Sequence, residues 1–135
     1  MAVMKLLRLM PAFGLAALTS ACAVVPDALL DVGDPLPPGT PVGIDQAVRV
    51  GELVVTPKKV IEDSRCPETA RCVWAGRLIV RTRIDGAGWR DTADITLGET
   101  YGAHGRVIAL VSGLPEKSAE AETPAETYRF VYEAR

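Results

Sequence analysis

The sequence predicts an all-β fold, a small antiparallel β-sandwich or barrel of about six or seven strands. Three observations lead there. Between residues 44 and 135 apolar side chains recur at every second position rather than at helical spacing. Glycine-rich turn signals separate these alternating stretches. The last segment repeats the alternation as a closing strand, with Tyr128, Phe130 and Tyr132 set against Arg129, Val131 and Glu133.

The elements follow in order. Val48 and Val50 alternate with Ala47 and Arg49, and Leu53 and Val55 continue on the opposite parity. That phase change at Gly51-Glu52 predicts a β-bulge or a tight bend. Pro57 interrupts the pattern, since it has no N–H to give to a ladder, and Val60-Ile61 resume it. In residues 73–97, Trp74, Gly76, Leu78, Val80, Thr82 and Ile84 share one face, against Arg77, Ile79, Arg81 and Arg83. Asp85-Gly86-Ala87-Gly88 is a turn signal. Beyond it Trp89, Ala93, Ile95 and Leu97 share a face, against Arg90, Thr92, Asp94 and Thr96. Pairing Ile84 with Trp89 across a four-residue loop sets Val80 opposite Ala93 and Leu78 opposite Ile95, with every apolar side chain on one side. The outer side then carries Arg77, Arg81, Arg83 and Arg90 with Asp94 as a partial counter-charge, which predicts a positive strip. Residues 99–105 read as a loop, residues 106–112 as a central strand covered on both faces, and residues 113–126 as a long surface loop.

Ahead of the β domain, expected over residues 44–135, the chain reads as a leader and a tether. Residues 1–21 carry Lys5 and Arg8, then an apolar run at 9–18, then Thr19, Ser20 and Ala21. This is the order of a secretory signal peptide. The apolar run is too short for a membrane span, which needs about 20 residues. Leu18-Thr19-Ser20-Ala21-Cys22 resembles the bacterial lipoprotein signal, with the leucine one position further from the cysteine than that family usually has it. The resemblance implies that Cys22 is acylated and becomes the N-terminus. Ordinary cleavage after Ala23 also fits a small-x-small site. With Ala23 rather than an aspartate after the cysteine, the likeness to proteobacterial lipoproteins implies an outer-membrane anchor facing the periplasm. Residues 22–43 then form a linker: five prolines and three aspartates lie in 26–43, a composition for a semi-extended spacer.

Three cysteines leave one over if two are paired, and acylation of Cys22 removes the odd one. Cys66 and Cys72 enclose five residues, and in an exported chain they are expected to be oxidised to each other. A zinc site asks for more ligands than the single histidine and two thiols supply. A thioredoxin-type pair needs two intervening residues at a helix start. Beside the ring, Asp63 and Arg65 suit local bracing, with Asp63 accepting turn N–H groups and Arg65 pairing with it or with a carbonyl. They also suit a recognition surface together with Pro67, Glu68 and Arg71. Trp74 is expected to plug the core against the disulfide.

The string from Asp63 to Gly76, DSRCP, four residues, then CVWAG, with Thr96 to Glu99 (TLGE) further on, resembles a family of uncharacterised bacterial secreted proteins and lipoproteins. That resemblance implies an exported, β-rich, disulfide-containing domain and assigns no chemistry.

Charge and residue types narrow the function. The net charge of −2 becomes −4 without Lys5 and Arg8, which speaks against a nucleic-acid protein. His104 is the sole histidine, and Ser64, Ser112 and Ser118 lie in no nucleophile-elbow context. No phosphate-cradling glycine loop is present, and no cofactor or metal is expected. The expectation is a membrane-anchored periplasmic lipoprotein whose domain is a non-catalytic binding or structural module. An alternative is an inhibitor of an envelope or extracellular hydrolase or protease that inserts the disulfide-braced loop 66–72. The partner in the first case is an envelope protein, or an anionic envelope polymer or lipid headgroup held by Arg77, Arg81, Arg83 and Arg90.

Overall fold

The computed structural model describes residues 33–135. The expected signal peptide of residues 1–21, Cys22 and the first part of the expected linker lie outside the described residues. The rest is a seven-stranded β-sandwich. One sheet orders β1 (Val48–Val50), β2 (Leu53–Asp63), β3 (Leu78–Gly86) and β4 (Trp89–Thr96) side by side. The other orders β5 (Thr100–Ala103), β6 (Arg106–Leu114) and β7 (Arg129–Ala134). All pairings are antiparallel. A single 3-10 turn, Ala125–Thr127, precedes β7. At the sides, β1 approaches β7 and β4 approaches β5 to within 8 Å between Cα atoms.

The core comes from the alternation. Val55, Leu78, Val80, Ile84 and Ile95 of the first sheet face Ile108, Leu110, Phe130 and Tyr132 of the second, all buried. Thr82 lies among them, fully buried, and shares a 2.9 Å hydrogen bond with the Tyr132 hydroxyl. Burial pushes the Tyr132 phenol well above its usual range, so it stays a neutral partner. The phase change at Gly51-Glu52 is a tight bend: Val50 pairs with Leu53, and Gly51 adopts φ +60°. β2 runs straight through Pro57, with register shifts between Pro57 and Lys59 and between Val60 and Glu62. The two bulges absorb the proline without ending the strand.

Four expectations are corrected. The β3–β4 hairpin pairs Gly86 with Trp89 across Ala87-Gly88, so Ile84 faces Asp91, Thr82 faces Ala93 and Val80 faces Ile95. The reason is Gly86: a Cβ there would stand 2.1 Å from the Trp89 indole, so only glycine lets the ladder close two residues further and the ring lie across it. The expected faces survive because the shift is even. Residues 100–103 form β5, turned into β6 by His104 and Gly105 at φ +50° and +72°. Those positive angles make the two-residue hairpin turn that a histidine does not advertise. The proline-rich segment is a strap rather than a free spacer from Leu36 on. Leu36 bridges Val48, Val42 bridges Phe130, and Val42 is completely buried, so the packed unit starts at Gly33 rather than at 44. Trp74 and Gly76 are not part of β3, and Trp74 is not in the core.

Candidate functional site

β2 and β3 are joined by residues 64–77, and this connection carries most of the residues singled out from the sequence. It is built as an extension of the hairpin. The Ser64 amide donates to Arg77 O (2.9 Å), and the Cys66 amide donates to Ala75 O (3.1 Å). The Arg77 amide donates to Ser64 Oγ, which in turn donates to Glu62 Oε1 at 2.8 Å. Gly76 sits at φ +68°, and a Cβ there would overlap Ser64 O at 1.7 Å. This left-handed residue swings the chain off the sheet face, which is why the alternation seen upstream of Leu78 does not continue the strand. Beyond the stalk, Cys66 and Cys72 form the expected disulfide, with Cα atoms 5.9 Å apart. The Ala70 amide closes a turn on Pro67 O.

The base of the stalk is pinned to the second sheet. Arg65 grips Asp63 with Nε and Nη2 (2.8 and 2.9 Å) and donates from Nη1 to Gly113 O (2.7 Å) and from Nη2 to Pro115 O (3.0 Å). The Tyr128 hydroxyl donates at 2.7 Å to Asp63 Oδ2, the oxygen that also accepts from Arg65 Nη2. Burial opposes ionisation of Asp63, but the Arg65 guanidinium and the Tyr128 hydroxyl outweigh it and hold the carboxyl below its usual range. Burial, and then the Asp63 charge, push the Tyr128 phenol up. The Arg65 and Asp63 side chains are 12% and 5% exposed. Both are mostly covered and engaged by partners within the protein.

The tip is the opposite. Glu68 to Arg71 are exposed and Pro67 is half-buried. Val73 and Trp74 are 90% and 82% exposed. The alternation places Trp74 and Gly76 inward with Leu78, whereas the positive φ of Gly76 turns the chain away before Trp74 can reach the core. An indole and a valine thus stand in solvent on a stalk closed by a disulfide.

The arginine face is paired rather than open. Arg77 binds Glu62 (2.9 Å), Arg81 forks onto Asp94 (2.8 and 3.0 Å), and Arg83 and Arg90 share Asp85. The two-residue register shift places Asp94 directly opposite Arg81, and β2 contributes Glu62, so the expected uncompensated strip does not form. Accepting from Arg81 holds Asp94 below its usual range; accepting from Ser64 and then Arg77 does the same for Glu62. His104 stacks on Trp89 with ring centroids 4.0 Å apart and meets Asp91 Oδ2 at 3.2 Å. Among the described residues no group of three or more His, Cys, Asp or Glu is placed to hold a metal ion. A groove of about 430 Å³ beside the C-terminal half of β2 is lined by Ile44, Lys59, Val60, Lys117, Glu122 and Tyr128; nothing in the sequence signals it.

No protein-family model matches this chain, and no curated protein or solved structure matches it.

Proposed function

We propose that this chain is a bacterial envelope lipoprotein, held at the outer membrane by acylated Cys22 and facing the periplasm. Its domain is a non-catalytic binding module that makes contact through the 66–76 hairpin tip. The observation that supports the reading is the exposure of Val73 and Trp74 on a braced stalk. A tryptophan buries 150–250 Å² on docking, worth roughly 4–6 kcal/mol before the costs of association. A tip held by a disulfide and backbone hydrogen bonds loses little further freedom when it docks. The leader, the Leu18–Cys22 string and the cysteine parity support the anchor.

The test uses the full chain in envelopes solubilised with mild detergent and resolved on native gels. Wild type is expected to migrate in a complex larger than itself, and Trp74→Ala as the free chain. Identical migration of the two would sink the reading of the tip. Cys22→Ala is expected to leave the membrane fraction altogether.

A second reading is favoured by the exposure of residues 68–71: the tip is convex and suits a cleft, as in an inhibitor of an envelope or extracellular hydrolase or protease. Wild type, but not Trp74→Ala, would then suppress hydrolase bands in zymograms of envelope extract. Equal bands with and without the protein would remove this reading.

A further inference from the structure

The tip does not stand alone. The β6–β7 connection, residues 115–126, leaves the sandwich at the same end, because β2 ends, β3 starts, β6 ends and β7 starts there. Arg65 joins the two connections by donating to Gly113 O and Pro115 O, and the Glu116 charge lies near enough to strengthen its hold on its proton. Leu114, beside Pro115, is half exposed. The 115–126 segment carries Glu116, Glu120, Glu122 and Glu126, all exposed, against Lys117 as its one cation. An apolar knob is therefore flanked by an acidic apron on a shared, pinned base.

We infer that the partner of the tip is a protein, with an apolar pocket for Trp74 set in a rim of lysines and arginines. The inference rests on the reading of the tip as the contact element and names what it contacts. Charge decides among the candidates. An anionic membrane surface or envelope polymer would repel the glutamates that must approach with the indole. The tip's own exposed charges, Glu68 and Arg71, cancel, so this end of the sandwich keeps the negative sign of the 115–126 segment. A basic rim around an apolar pocket matches both parts: the indole supplies the buried anchor, and the glutamates steer the encounter and set its salt dependence.

The experiment places the photo-crosslinker p-benzoylphenylalanine at position 74 or position 120 of the full-length chain in cells. Both positions are expected to capture the same protein. With that protein purified, Trp74→Ala is expected to weaken binding by about thirtyfold or more. Glu116→Gln/Glu120→Gln/Glu122→Gln is expected to slow association about tenfold at low salt and to flatten its salt dependence. Because these side chains are exposed, both variants should melt like wild type. Adducts to lipid or glycan at position 74, or a shift in Trp74 emission on adding phosphatidylethanolamine/phosphatidylglycerol vesicles, would overturn the protein partner while leaving the tip as the contact element. A captured protein whose binding ignores salt and the triple substitution would overturn the basic rim. No adduct of any kind at 74 or at 120 would overturn both this inference and the reading beneath it.

Discussion

Replacing Arg65 with methionine keeps most of the aliphatic stem and removes every donor. Four hydrogen bonds go, two of them to Asp63 and two to the carbonyls of Gly113 and Pro115. Asp63 is left nearly buried and charged, with the Tyr128 hydroxyl and the backbone N–H of residue 65 still donating to it. Breaking a buried ion pair from one side costs about 3–5 kcal/mol, and the residual exposure here argues for the lower end. About 3 kcal/mol would lower the melting temperature by roughly 12–24 °C for a domain of this size. Asp63→Asn keeps a hydrogen-bonding side chain, and the double variant Asp63→Asn/Arg65→Met relieves the stranded charge. The double should therefore be more stable than the sum of the singles predicts, by about 0.5–3 kcal/mol. Urea unfolding followed by circular dichroism measures all four corners. The pH dependence adds a sign. The folded-state pKa of Asp63 lies below its unfolded value of 3.8, so its contribution is fully present above that value and fades as pH falls through the lower folded one. Arg65→Met should lose that part of the acid sensitivity. A cost under about 1 kcal/mol would mean that water already satisfies this network, and the pinned base of the stalk would have to be abandoned.

Other substitutions test separate parts of the fold. Gly86→Ala puts a methyl into the Trp89 indole and should cost about 1–3 kcal/mol, seen as a lower urea midpoint; a neutral result would contradict the two-residue turn. Thr56 is buried with its hydroxyl unpaired among the described residues, so Thr56→Val should be neutral or stabilising by about 1 kcal/mol in the same assay. Cys66→Ser/Cys72→Ser should lose about 2.4 kcal/mol from a ring this small, and non-reducing peptide mapping of wild type should recover residues 66 and 72 in one linked fragment.

Periodicity in the sequence sorts side chains into inside and outside with little error, because burying one face of a strand costs too much to get wrong. Leu78, Val80, Thr82 and Ile84 all point inward, as their spacing implies. The same periodicity is blind to shifts of two. The ladder between β3 and β4 lies two residues from the register the pattern suggests, where Gly86 leaves room for the Trp89 indole, and this sets Asp94 opposite Arg81 and Asp85 opposite Arg90, while Glu62 of β2 pairs with Arg77. The strap from Leu36 to Val42 was hidden by its prolines, although those two apolar side chains are what dock it. At the candidate site, the disulfide and the local pairing of Asp63 with Arg65 were legible from spacing. The contacts of Arg65 to Gly113 and Pro115, and of Asp63 to Tyr128, span about half the chain and left no local mark. Trp74 was misplaced because large aromatics are usually core residues, and a pattern of two cannot distinguish a strand from a stalk that has left its sheet.

Everything proposed for the tip depends on Val73 and Trp74 being held in place while they face solvent. Nitrogen-15 relaxation of the oxidised protein measures this directly. The backbone amides of residues 69–76 should give order parameters near those of β2 and β3, about 0.85, and the Trp74 indole N–H should exchange freely with water. Order parameters below about 0.6 across the tip, or an indole N–H protected like that of a core residue, would contradict a preformed contact surface.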